Sequence, residues 1–144
     1  MAKQFKAPKM VTRISLWLGR RGVGRLATLT TIGRRSGDLR EVPVSPITLD
    51  GVEYLVAPYG SVGWVANTRA NPEVIIRSGK GIRHVRLDEV TAEAARVVEA
   101  YYRRESFPRK YMDVPGEATV DDFAGVSHRF PVFRIVESAG TRSL

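Results

Sequence analysis

The chain has 144 residues, 43% hydrophobic and 26% charged, and a formal net charge of +8. That is enough for one domain with a sizeable core, but no run approaches the roughly 20 apolar residues of a spanning helix. Cysteine is absent and the only histidines are His84 and His128, which excludes disulfides, thiolate chemistry and common zinc spacings, so no metal site is expected.

Residues 1–9 carry Lys3, Lys6 and Lys9 and read as a loose basic arm. Met10, Val11, Ile14, Trp17 and Leu18 then fall at helical spacing, so residues 1–22 comprise an arm and a short amphipathic helix, stopped by Gly19, Gly22 and Gly24. Its polar face is basic (Lys9, Arg13, Arg20, Arg21). Such a helix could lie on an anionic bilayer, with Trp17 at the interface; capping an open end of a barrel or sheet is the favoured role. No secretory core or cleavage site accompanies it, so a cytoplasmic protein is expected, with peripheral contact at the inner face of the membrane as the variant this helix allows.

From Leu26 the pattern is β. "LATLTTI" leads into a Gly33–Gly37 turn, and "LREVPVSPITL" follows, with Pro43 and Pro46 forcing an edge, a bulge or a bend. Asp50-Gly51 is a two-residue hairpin signal, and "VEYLVAP" is the next strand. "YGSVG" leads into a short helix, "WVANTRA", ended by Asn71-Pro72. "EVIIRS" and "IRHVRLDEV" make a hairpin around Gly79–Gly81. Thr91 is expected to cap the helix "AEAARVVEAYYRR", with Glu93 in its first turn. A polar, irregular stretch from Glu105 to Arg129 precedes a last strand, "PVFRIVE". Five or six strands in successive hairpins predict a mainly β protein with flanking helices (α+β): a small antiparallel barrel, with an open α+β sheet as the competing architecture.

Several chemistries drop out. Gly19–Gly24 is not a dinucleotide fingerprint, and no Walker-type loop or nucleophile elbow is present. Asp121-Asp122 are neighbours whose side chains diverge. Two segments remain. In "GRRSGDLR", Arg34 and Arg35 supply fork-shaped donors suited to phosphate or carboxylate, Ser36 adds a hydroxyl, and Arg40 follows a few residues into the next strand. A solvated loop tip is the plain alternative. In "PYGSVGWVAN", Gly60 and Gly63 allow a flat ligand to approach where a helix begins. Trp64 could stack or fill core, and Asn67 could bind a ring edge or cap its helix.

Together, "LTTIGRRSG-x-x-R-x-x-P", "GSVGW" and "NTRANPEV" resemble the deazaflavin-dependent nitroreductase family, split β-barrel oxidoreductases of actinobacteria with a flavin-reductase/FMN-binding-like fold. The likeness covers roughly Met10 to Val90 and the last strand. It implies coenzyme F-420 as cofactor. It places the anionic phosphodiester and oligoglutamate tail on Arg34, Arg35 and Ser36, and a continuing groove on Arg40, Glu41, Val42, Pro43, Val44 and Ser45. The deazaflavin ring would lie against Val56, Ala57, Pro58 and Tyr59 and against Gly63, Trp64, Val65, Ala66 and Asn67. Where relatives carry a Ser-Lys pair before the glycine, this chain has Pro58-Tyr59. The implied chemistry is hydride transfer to a small-molecule acceptor (a quinone, an enone or a nitro-heteroaromatic), with Tyr111 as the matching proton donor and a homodimer as the matching assembly. Two other classes stand beside it. A basic nucleic-acid-binding domain fits the charge but not the aromatic content of 8%, so no nucleic-acid partner is expected. A carrier that binds F-420 without turnover fits the same motifs.

Overall fold

Successive side chains of a strand point to opposite faces; the strand Glu73–Ser78 buries alternate residues (Val74, Ile76), whereas Ala27–Ile32 and Val52–Val56 are buried on both faces along part of their length. The computed structural model describes residues 26–79, 81–104 and 127–138. The basic arm and helix expected over residues 1–22, and Tyr111, lie outside the described residues. Within them, the strands are β1 (Ala27–Ile32), β2 (Leu39–Val44), β3 (Ile47–Leu49), β4 (Val52–Val56), β5 (Glu73–Ser78), β6 (Gly81–Val90) and β7 (Val132–Glu137). Helix α1 (Gly63–Ala70) follows β4, α2 (Ala94–Arg104) follows β6, and a single 3-10 turn spans Ser127–Arg129.

There are seven described strands rather than five or six because "LREVPVSPITL" breaks at Ser45-Pro46 into β2 and β3. All pairings are antiparallel, in the order β2-β1-β5-β6-β7-β4-β3. The two edge strands are therefore the two halves of one kinked segment. In a flat sheet they would stand about 29 Å apart, six spacings of about 4.8 Å. The Ser45-Pro46 link reaches only about 11 Å from Val44 to Ile47. The sheet must curl until the adjoining ends of its two edge strands come together, and it forms a split barrel. Strand β6 turns the opposite corner: its first half (Gly81–Arg86) pairs with β5 and its second (Val85–Val90) with β7. Pro43 sits on edge strand β2, where its missing N–H costs no ladder bond.

Ala27, Leu29, Val44, Leu55, Ala57, Val74, Ile76, Val85, Leu87, Phe133 and Ile135 fill the interior, and Trp64 and Val65 of α1 plug one end. Trp64 packs on Phe133 with ring centroids 5.6 Å apart. At the other end Arg83 bridges Glu53 and Glu137, each at 2.8 Å. The outer face of β4 and β7 (Tyr54, Val56, Val132) takes α2, whose Ala94, Val97, Val98, Tyr101 and Tyr102 recur at i, i+3, i+4, i+7 and i+8.

Helix α2 begins two residues later than a Thr91 cap requires. The Thr91 carbonyl accepts only a turn bond from the Ala94 N–H, and the Glu93 carbonyl accepts the first helical bond, from the Val97 N–H. Glu93 thus occupies the capping position instead of the first turn, and its carboxylate turns away to Tyr54 and Arg134. The Asp50-Gly51 hairpin forms as expected, with φ of 51° and 79°.

Candidate cofactor site

The turn between β1 and β2 is closed by Gly33 N–H to the Asp38 carbonyl (2.7 Å), Gly37 N–H to the Gly33 carbonyl (2.8 Å) and Asp38 N–H to Ser36 Oγ (3.1 Å). Gly37 takes φ of 75°, a conformation that favours glycine. A Cβ on Gly33 would stand 3.0 Å from Ser36 Oγ and 3.1 Å from the Asp38 carbonyl, so a side chain there would crowd the turn. It holds Arg34, Arg35 and Ser36 exposed at its tip.

Helix α1 starts after a loop in which Gly60 has φ of 82° and Val62 N–H bonds to the Gly60 carbonyl (2.8 Å). Val62 supplies no side-chain cap and the first turn holds no acidic residue, so the helix itself provides no negative group for its first amides, Gly63 and Trp64.

The structure brings these two segments together. Asn67, buried in α1, accepts on Oδ1 from the Arg34 backbone N–H (3.1 Å) and from Arg34 Nη1 (2.9 Å), and its Nδ2 donates to Thr31 Oγ1 (3.2 Å). Arg40 is the cross-strand partner of Thr31, so its side chain leaves β2 on the same face. Arg34, Arg40, Thr31 and Asn67 therefore gather at the α1 end of the barrel. Arg35 and Arg40 are exposed and make no ion pair among the described residues, whereas Arg69, Arg83, Arg96 and Arg134 all pair with carboxylates. Exposed guanidinium groups without a carboxylate partner among the described residues suit an anion.

The rest of the expected site divides. Arg40, Val42 and Val44 share the inner face of β2 with Leu29 and Thr31, while Glu41 and Pro43 lie opposite, beside Thr28 and Thr30. Val44 and Ser45 stand at the far end of β2, about 13–17 Å along the strand from Arg40. Val44, Ala57, Trp64 and Val65 are packed in the interior, Val56 lies under α2, and Pro58 is buried. Tyr59, Gly63 and Ala66 remain partly or fully exposed around the helix start. Only their accessible atoms and backbone could meet a ring.

Two supports were not visible in the sequence. Thr31 looks like any strand threonine, and only the α1 crossing makes it a partner of Asn67. Arg104, at the end of α2, donates to the carbonyls of Pro46 (3.0 Å) and Ser45 (3.1 Å) and so fixes the kink at which the sheet closes. No group of metal-ligating side chains occurs among the described residues.

The fold is a split barrel, and the comparisons give its family. The profile described as F420H(2)-dependent quinone reductase matches residues 8–114, and the chain belongs to that family. It is an oxidoreductase that depends on reduced F-420. Among solved structures it is similar to an F420-H2 dependent reductase, FDR-A, with 24% identity, a TM-score of 0.51, and 77% of this chain and 93% of that one covered. It is also similar to a structure described as a domain-swapped dimer (22% identity, TM-score 0.55, 85% and 91% covered). A candidate pyridoxamine 5′-phosphate oxidase from Listeria innocua shares 16% identity and a TM-score of 0.53, with 83% and 87% covered. At these identities the structural likenesses show the split-barrel fold. No curated protein matches the chain at a significant level.

Proposed function

We propose that the chain passes a hydride from reduced F-420, docked at the α1 end of the barrel, to a quinone. The observation that carries this reading is the cluster at the α1 end of the barrel: Arg35 and Arg40 are exposed with no carboxylate partner among the described residues, on a turn and strand that Arg34 and Asn67 tie to α1. A cofactor with a polyanionic tail and a flat ring fits such a donor set. Arg35, Arg40 and Ser36 would hold phosphate and carboxylate oxygens, and the accessible atoms along the Arg40 face of β2 would take the extended part. The loop from Val56 to Tyr59 and the helix start from Gly63 to Asn67 would bound the ring.

When bound, the reduced deazaflavin supplies the hydride. The protein's share is orientation and charge: fixed amides and arginines near the site favour negative charge developing on an acceptor oxygen. Tyr111 is the proposed proton donor. The family's name supports a quinone over an enone or a nitro-heteroaromatic acceptor. A membrane quinone would also give the basic helix expected over Met10–Leu18 a purpose, at the inner face of the membrane of a cytoplasmic protein. The domain-swapped relative supports a homodimer.

The test is anaerobic mixing of the protein with reduced F-420 and a soluble naphthoquinone, following the return of oxidised deazaflavin absorbance. Catalysed return with the quinone, and none with reduced flavin mononucleotide, is expected. Turnover with the flavin alone, or with an enone or nitro compound but no quinone, overturns the proposal.

A further inference from the structure

We infer that Asn67 is a positioning residue: it locks the Arg34 turn onto α1 so that the anion-gripping turn is shaped before cofactor arrives. This rests on the docking site proposed above. Both groups that reach Asn67 Oδ1, a backbone N–H and a guanidinium N–H, can only donate, so the orientation of the amide is fixed by its partners. Two donors exhaust the two lone pairs of that oxygen, and Thr31 occupies one of the two Nδ2 hydrogens. Asn67 is 5% exposed and Thr31 1%. Little of Asn67 is left to touch a ligand.

The geometry has a second consequence. Arg34 is bound twice by one oxygen, through main chain and side chain, so its guanidinium is folded back toward α1. Arg35 and Arg40 are exposed and pair with no carboxylate among the described residues. The three arginines of the motif therefore divide their work: Arg34 joins turn to helix, and Arg35 and Arg40 meet the tail. A turn that is already ordered loses less conformational entropy when it binds, which raises affinity without adding any contact.

Two measurements separate this role from direct contact. Hydrogen exchange of the Arg34–Asp38 amides in the cofactor-free protein reads the lock alone. The dependence of F-420 affinity on salt reads how many charges meet the ligand. Asn67→Ala should speed exchange in the turn about tenfold or more, since it removes both bonds to Arg34 and the one to Thr31. It should weaken F-420 binding by a similar factor while leaving the salt slope at the wild-type value. Asn67→Asp, which keeps an acceptor for both Arg34 donors, should restore slow exchange. Arg35→Gln should do the opposite of Asn67→Ala: unchanged exchange and a shallower salt slope.

Unaltered exchange in Asn67→Ala overturns the inference, as does weakened binding with wild-type exchange, which would make Asn67 a direct ligand. If the wild-type chain binds no F-420, the docking proposal fails, and the exchange of the two Asn67 variants still decides whether the lock exists.

Discussion

Tyr54 and Glu93 are 39 residues apart, and the Tyr54 hydroxyl donates to Glu93 Oε2 at 2.7 Å. Arg134 Nη2 reaches the same carboxylate at 2.8 Å. The contact pins the start of α2 to β4 and β7, the outer wall of the barrel. It also shifts both acids: the hydrogen bond from Tyr54, then that from Arg134, holds the Glu93 carboxyl below the usual glutamate range, and burial followed by the Glu93 contact pushes the Tyr54 phenol up.

A pH dependence of stability follows with opposite signs at the two ends. A depressed carboxyl contributes stability that is present above the ordinary glutamate range, about pH 4.3 in the unfolded chain, and is lost as pH falls through the lower folded value. A raised phenol contributes below its ordinary value, about 10, and loses its contribution as pH rises through the higher folded one. Urea unfolding across pH should show Glu93→Gln flattening the acid limb and Tyr54→Phe flattening the alkaline limb. Acid limbs that coincide in Glu93→Gln and wild type would remove this pair from the acid sensitivity.

Phe133 is 1% exposed and supports Trp64, the plug that α1 inserts into the barrel. Truncation there leaves a cavity next to the helix that carries Asn67. Phe133→Ala should cost about 3–5 kcal/mol in denaturant unfolding. A loss below about 1 kcal/mol would show that α1 is not held by this packing.

Gly33 tests the turn itself. A methyl group at this position must push on the Asp38 carbonyl or the Ser36 hydroxyl. Gly33→Ala should lower stability by about 1–3 kcal/mol, as overpacking does, and weaken F-420 binding with it. Gly63→Ala, where a Cβ meets nothing within 4 Å, is the matched control, with stability close to wild type. Calorimetry of the two variants compares them directly, and equal losses would deny the turn its tight closure.

Arg35 and Arg40 are exposed, so each contact with an anionic tail is worth about 1 kcal/mol at most in moderate salt. Arg35→Gln and Arg40→Gln should each raise the F-420 dissociation constant by about three- to fivefold, nearly additively, with fold stability unchanged. Fluorescence titration at low and high salt checks this. A double variant that binds like wild type would leave the arginines as a solvated loop tip.

The hairpins, α1 and the inner strand faces were legible because glycine, proline and period-two spacing act locally. The closing of the sheet was less so: it depends on the Ser45-Pro46 kink joining the two edges, and on Arg104, 58 residues from Pro46, gripping that kink. The Thr91 cap failed as an expectation because a tertiary partner, Tyr54, claims the Glu93 side chain and shifts the helix start. At the site, the basic turn and the helix start could each be read from sequence. Their union through Asn67 could not, since an asparagine inside a helix gives no sign of an arginine 33 residues upstream. The strand alternation that separates Arg40 from Glu41 was implicit in the pattern, but a resemblance that marks contiguous residues conceals it.

Titration of the ¹⁵N-labelled protein with oxidised F-420 addresses the docking site most directly. Amide shifts should concentrate in Gly33–Arg40 and Gly60–Asn67, at the end of the barrel closed by α1. Shifts clustered instead around Glu53, Arg83 and Glu137 at the opposite end, or no shifts at saturating cofactor, would contradict it.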